Sequence, residues 1–366
     1  MHSQDVQPEE SRAWLAWSWC GLGPASFALL ENTYGSLAKA WEQRLKALQK
    51  VRLTRDKIGD VRARLMAFDS VTVVKELKRL RLTPICRFEP IYPSVLRQLS
   101  DPPPVLYVRG NSEILARPAV AIVGSRNASE YGKQQTSRFA GQLSRAGVVV
   151  VSGLAYGVDA HAHEATLGAA PSIAVVAGGL GIRLMSWQVA LADKLIANGG
   201  AMVSEFPPDI PPLKYHFPLR NRIIAALAKI TLVTEARGTS GALITALRAL
   251  ELGHSVMAVP SDLGRASAEG SNRLLRDGAG VALSPQEVLE ELARQLPQDQ
   301  ATRLLRGSSG AGSPLLQLLK KPRTLEQLVA ALGIRQGPLM LQLTELELDG
   351  KIGRTIDGLF VAITKP

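Results

Sequence analysis

From Trp14 to about Arg81 apolar residues recur three and four positions apart, and turns are marked at Gly21, Gly23 and Gly35. That period predicts a small helical domain. Between Ala119 and about Arg294 the pattern changes. Short apolar runs alternate with amphipathic stretches, which predicts a parallel sheet with helices on both faces. The strands are expected at 119–123, 148–151, 173–176, 201–204, 230–234, 255–259 and 280–283. Asp101-Pro102-Pro103-Pro104 breaks any helix and leads into a strand-like 105–108. Near the end, helical patterns at 314–320, 324–332 and 337–349 precede two strand-like pieces at 352–355 and 359–363, which spells a winged helix-turn-helix.

The division that follows is a helical domain over 1–85, an extended Rossmann-like, doubly wound, mostly parallel sheet over 86–295, a polar and glycine-rich linker over 296–313, and a winged-helix domain over 314–366. Composition agrees with several folded domains, since 366 residues at 46% hydrophobic content are too many for one core and too apolar for disorder. The net charge of +11 points to a polyanionic partner. Basicity is densest in residues 1–110, with 17 basic against 11 acidic side chains. Lys39, Arg44, Lys46, Lys50, Arg52, Arg55, Lys57, Arg62 and Arg64 lie around the helical wheel, as a solvated face would have them.

Cys20 and Cys86 are far apart and have no His or Cys at ligand spacing, so neither a disulfide framework nor a zinc site is expected. His161 and His163, two apart on a helix, read as structural histidines rather than a ligand pair. The expectation is no metal and no cofactor. No apolar run approaches a membrane span, and a cytoplasmic protein is expected. Cys20-Gly21-Leu22-Gly23-Pro24 is either one helix-hairpin-helix with loop amides facing a phosphate or a tight turn between helices.

Sheets of this kind bind ligands at the carboxyl ends of their strands. There the sequence places Gly124-Ser125-Arg126, then Ser152-Gly153 with Gly157-Val158-Asp159, then Gly178-Gly179-Leu180-Gly181. Glycine lets backbone approach a phosphate, and arginine offers a charged fork. Phe217-Pro218-Leu219-Arg220-Asn221-Arg222 precedes an apolar stretch expected to be helical, 223–227. Cations at a helix start oppose the dipole, so Arg220 and Arg222 are read as ligands of a bound anion and not as ion-pair partners. Ser240, Gly241 and Thr245 follow the fifth strand and are further phosphate candidates, while Glu235 is expected either to tie down Arg220 or Arg222 or to act on a ribose or proton. Phe217 and Tyr215 flank the arginines and are placed to stack on bases. No Walker lysine loop occurs, which argues against an ATPase.

Together these segments resemble the DNA-processing protein A family, also called Smf, over nearly the whole chain. The resemblance rests on Tyr92-Pro93 with Asp101 to Tyr107, on Val123 to Arg126, Ser152 to Ala155 with Gly157 to Asp159, Phe217 to Ala225, and Ser240 to Ala246. Ala258-Val259-Pro260 and Gly270-Ser271-Asn272 with Gly278-Ala279 add to it. It implies a non-enzymatic protein that binds single-stranded DNA, forms homodimers and loads the RecA recombinase during natural transformation. Arg126, Arg220 and Arg222 would contact phosphates, and Gly124, Ser125, Ser152, Gly153, Ser240 and Gly241 would line the pocket. One loop departs. Where the family commonly carries Cys-Gly-Leu-Asp and then Tyr-Pro before an Asn, this chain has Gly178-Gly179-Leu180-Gly181, Leu184-Met185 and Gln188.

Two other readings compete. A Rossmann phosphoribohydrolase would need P-G-G-x-G-T-x-x-E, whose glutamate is missing after Thr239. A duplex reader acting through the winged helix would need cations on 337–349, which instead carries Gln342, Thr344, Glu345, Glu347 and Asp349.

Overall fold

The computed structural model describes residues 8–308, 314–333, 336–348 and 350–363. They form two compact units, one ending at Leu296 and the other beginning at Pro297.

The first unit opens with six helices, α1 (Pro8–Trp19), α2 (Pro24–Tyr34), α3 (Leu37–Glu42), α4 (Arg44–Lys50), α5 (Arg55–Ala67) and α6 (Ser70–Arg79). Gly21, at φ 86°, makes the turn between α1 and α2, a conformation that favours glycine. Strand β1 (Thr83–Cys86), short helix α7 (Ser94–Arg97) and strand β2 (Val105–Gly110) follow. The sequence reading missed β1, which has a proline in its second position and only four residues. It is an edge strand, where a missing N–H is tolerated.

The parallel strands are β3 (Ala119–Val123), β4 (Val149–Ser152), β5 (Ser172–Val175), β6 (Ala201–Ser204), β7 (Ile230–Val233), β8 (Ser255–Ala258) and β9 (Gly280–Val281). They alternate with helices α8 (Glu130–Arg145), α9 (Val158–Ala165), α10 (Ser186–Ala197), α11 (His216–Leu227), α12 (Gly241–Glu251), α13 (Glu269–Arg276) and α14 (Pro285–Arg294). The sheet order is β1-β2-β6-β5-β4-β3-β7-β8-β9, with β1 and β2 antiparallel and the rest parallel. This is a Rossmann-like α/β fold. Strands β3 to β7 are buried along their whole lengths, as double coverage requires.

Chain order reverses direction at β3, whose neighbours are β4 on one side and β7 on the other. Such a switch point separates the loops on either side and opens a crevice beyond the strand ends.

The helical segment shares an apolar core with one face of the sheet, since Trp14, Trp17, Phe27 and Leu37 pack in one cluster with Tyr107, Leu154, Ala174 and Met202. Tyr107 Oη and Ser18 Oγ, 2.9 Å apart, join the two parts by a buried hydrogen bond.

The second unit begins with α15 (Gln298–Ser308), where a flexible linker over 296–313 was expected. Ala301 and Leu304, spaced three apart, are buried, and that apolar stripe turns the polar sequence into a helix. The glycine-rich stretch 309–313 lies outside the described residues, as do Arg335 and Asp349. Helices α16 (Pro314–Leu318), α17 (Leu325–Leu332) and α18 (Gln336–Leu348) and the hairpin β10 (Ile352–Arg354) and β11 (Phe360–Ala362) enclose a core of Leu315, Leu319, Leu328, Leu339, Leu343, Ile352 and Phe360.

Candidate nucleic-acid interface

A cavity of about 430 Å³ sits at the switch point. The loop after β3 supplies Gly124, Ser125, Arg126 and Asn127, helix α11 supplies Phe217, Arg220, Asn221 and Ile224, and the turn after β7 with the start of α12 supplies Arg237, Ser240, Gly241 and Thr245. Phe217, Arg220, Asn221 and Ile224 share one helix face by their spacing of three and four.

The β3 loop is shaped by close backbone approach. A Cβ on Gly124 would stand 2.5 Å from Val158 Cγ2 and 2.7 Å from the Glu235 carbonyl, so no larger residue fits. The Ser125 amide donates to that same carbonyl at 2.7 Å, and Ser125 Oγ accepts from the Asn127 amide at 3.1 Å. Arg126 then projects exposed, its guanidinium 4.9 Å from the centre of the Phe217 ring, a cation-π contact. Among the described residues Arg126 is in no ion pair. Ser240 caps α12, its Oγ accepting from Ala242 N at 3.3 Å.

Arg220 lies at the cavity floor, only 5% exposed. Nη1 donates to the carbonyls of Gly153, at 2.8 Å, and Val175, and Nε donates to Asn221 Oδ1 at 3.2 Å. All of these acceptors are neutral. Burial brings its pKa down to about 10; the charge of nearby Asp159 opposes that shift and Arg126 adds to it. Asp159 is buried too, and burial raises its carboxyl pKa against the pull of Arg220. Arg126, Arg220 and Arg237 against the single acid Asp159 leave the cavity net positive.

Several expectations need correction. Helix α11 begins at His216, not at Ile223, so Arg220 and Arg222 are a turn inside it and not at its start. Residues two apart on a helix point about 200° apart. Arg222 therefore faces away from the cavity and pairs with Glu205 at 2.6 Å and Asp101 at 2.9 Å, with its side chain 6% exposed. It is an ion-pair partner, and the sequence reading missed Glu205 because it lies on a different loop. Glu235 holds neither arginine. Its buried carboxylate accepts from Ser129 N, Ser129 Oγ and Ser267 Oγ, each at 2.7 Å. Ser152 is fully buried behind the cavity, with Oγ donating to the Ile122 carbonyl at 2.7 Å. Gly153 acts through its carbonyl and its missing side chain, since a Cβ there would overlap the Arg220 guanidinium. Tyr215 is exposed and is not among the residues that line the cavity.

The structure adds Arg237, which lies between Glu235 and Ser240 and was not singled out from the sequence. Its signal was an arginine beside Gly238 in a strand-to-helix turn. His163 is buried, with Nδ1 3.1 Å from Ser172 Oγ, and desolvation brings its pKa down to about 3. His161 is 3.6 Å from Glu164.

The divergent loop is held by its glycines. Gly179 N donates to Ile210 O at 2.8 Å and Gly181 N to Pro208 O at 2.9 Å, against a proline-rich segment that side chains on these glycines would strike. Gln188 Nε2 donates to Leu154 O at 2.9 Å.

Residues 83–293 match the model of the family DNA recombination-mediator protein A. The chain belongs to this family. Protein Smf of Escherichia coli is 44% identical over 202 residues, and the match spans 55% of this chain and 54% of that protein. Protein Smf of Synechocystis is 32% identical over 389 residues, spanning 94% of this chain and 97% of that protein. The DNA processing protein A of Streptococcus pneumoniae has a similar structure, with a TM-score of 0.63 at 29% identity, covering 76% of this chain and 96% of that one. A second similar structure, at TM-score 0.53 and 29% identity, is the Helicobacter pylori DNA processing protein A, described for its single-stranded DNA binding mode. It covers 59% of this chain and 98% of that one. Among the described residues no helix is long and apolar enough to cross a membrane, and no cluster of three or more His, Cys, Asp or Glu is placed to hold a metal.

Proposed function

We propose that this protein binds single-stranded DNA in the switch-point cavity and acts as a mediator that loads a RecA-type recombinase onto incoming strands in natural transformation, as a cytoplasmic homodimer and without catalysis. One observation carries the binding step. Among the described residues Arg126 is in no ion pair; it lies beside a phenylalanine ring, above a buried Arg220 whose acceptors are all neutral. A phosphodiester supplies the missing negative charge, and an unstacked base supplies a partner for the ring. Gly124, Ser125, Asn221, Ser240, Gly241 and Thr245 would line its path. The Helicobacter relative's association with single strands and the family's role in recombination support this reading.

Catalysis finds less support. Glu235, the acid a hydrolase would use, is held by three hydrogen bonds from serines and is 0% exposed. The carboxyl-terminal module would dock protein or touch duplex weakly, because Glu345 on α18 repels phosphates and Glu347 occupies Arg354, a cation that could otherwise meet them.

The test is a comparison of matched single-stranded and duplex oligonucleotides at two salt concentrations. Tighter binding of the single strand at both supports the reading, and equal affinity overturns it.

A further inference from the structure

Helix α6 packs inward through Val73 and Leu77, which are buried. Its outer side carries Val71, Val74, Lys75 and Lys78, all exposed. Their spacing of three, four and seven sets them in one stripe along the helix, about 10 Å long. The two valines are 59% and 44% exposed. Valine is a weaker helix former than alanine or leucine, so two valines in water lend this helix no stability. The acids of the helix are already engaged. Asp69 caps the first turn, its carboxylate accepting from Thr72 N at 2.8 Å and Thr72 Oγ1 at 2.6 Å. Those hydrogen bonds, with the charge of Lys75 a smaller influence, hold its carboxyl below the ordinary pKa. Glu76 holds Arg79 at 2.6 Å. Among the described residues neither Lys75 nor Lys78 is in an ion pair.

We propose that this stripe is a docking surface for an acidic amphipathic helix of a partner protein, with apolar residues on Val71 and Val74 and carboxylates on Lys75 and Lys78. It does not depend on the single-strand reading above. Charge complementarity decides the occupant. Lysines without a carboxylate, set beside exposed valines, match a helix that presents acids and apolar side chains at the same spacing. A nucleic-acid backbone would meet the lysines and leave the valines in water. A bilayer takes a broader apolar face, with leucine or aromatic residues, where this stripe has two valines. A second copy of the same stripe would set lysine against lysine.

The test uses the full chain and two labelled synthetic helical peptides with the same leucines three and four apart, one carrying glutamates between them and the other lysines. Fluorescence anisotropy is read at physiological salt, where the chain's overall positive charge is screened. The glutamate peptide is expected to bind about tenfold or more tightly than the lysine peptide. Val74→Asp should weaken that binding about tenfold. The pair Lys75→Glu and Lys78→Glu should reverse the preference, and the pair Lys75→Ala and Lys78→Ala should abolish it. The alanine pair keeps helix propensity and carries the test where a thermal melt shows the reversed pair to be poorly folded. Equal binding of the two peptides by the wild type, or binding of neither, overturns the proposal. An unchanged preference in the lysine variants does so too. A fall in the single-strand affinity of those variants would assign the stripe to nucleic acid instead. Their release from phosphatidylserine-containing vesicles that retain the wild type would assign it to a membrane.

Discussion

Arg222 and Glu205 form a buried ion pair at 2.6 Å, with side chains 6% and 8% exposed, two positions along α11 from Arg220, whose hydrogen-bond acceptors are all neutral. One motif thus sends its two cations to opposite sides of α11, one into an ion pair and one to the cavity. Arg222 fastens α11 to the loop after β6 and to the Asp101 segment, and Arg220 is left to face the cavity.

Removing Arg222 strands Glu205, whose carboxyl pKa burial already raises. Arg222→Ala should destabilise the fold by about 3–5 kcal/mol. Its effect on the salt dependence of single-strand binding should be nil. Denaturant unfolding beside a salt titration checks this, and a stable variant with a reduced salt slope would return Arg222 to the phosphate site.

Gly153→Ala places a methyl group into the Arg220 guanidinium. The variant should lose about 1–3 kcal/mol of stability by overpacking and should bind single strands more weakly, although position 153 carries no charge. Fluorescence anisotropy and a thermal melt on the same preparation measure both effects.

His163 makes stability depend on pH. Its pKa stands near 3 in the fold against an ordinary 6.5, so the folded state keeps the neutral ring while the unfolded chain takes up a proton. The stability it contributes is present above 6.5 and is lost as pH falls from 6.5 towards 3, at up to about 1.4 kcal/mol per pH unit. His163→Asn should flatten that part of the profile in denaturant titrations across pH, whatever its effect at neutrality.

Glu235→Gln keeps the shape but loses the charge that draws three donors from Ser129 and Ser267. It should destabilise by about 1–3 kcal/mol by weakening these bonds. A variant of unchanged stability would mean that Glu235 is not structural.

Strands β3 to β8 were legible because short buried apolar runs between glycine-containing or polar turns look like little else. The cavity's loops were legible for the same reason, since strand ends and glycines occur together at Gly124 and Gly153. What was not legible depends on distance in sequence. The partner of Arg222 comes from Glu205 and Asp101, and the partners of Glu235 from Ser129 and Ser267, all set by folding rather than spacing. The start of α11 was misplaced because the helix was read from the apolar run at Ile223, whereas Pro218 is already in the first turn of a helix that begins at His216. That error alone put Arg220 and Arg222 at the helix start, whereas they lie a turn inside it.

Arg126, exposed and in no ion pair among the described residues, is proposed to hold a phosphate of a single strand, and a salt titration of Arg126→Ala against wild type tests this most directly. The expected result is weaker binding, uniform across sequences, with the log–log salt slope reduced by about 0.7 and stability changed by no more than about 0.5 kcal/mol. Unchanged affinity and slope in a folded Arg126→Ala protein would contradict the account.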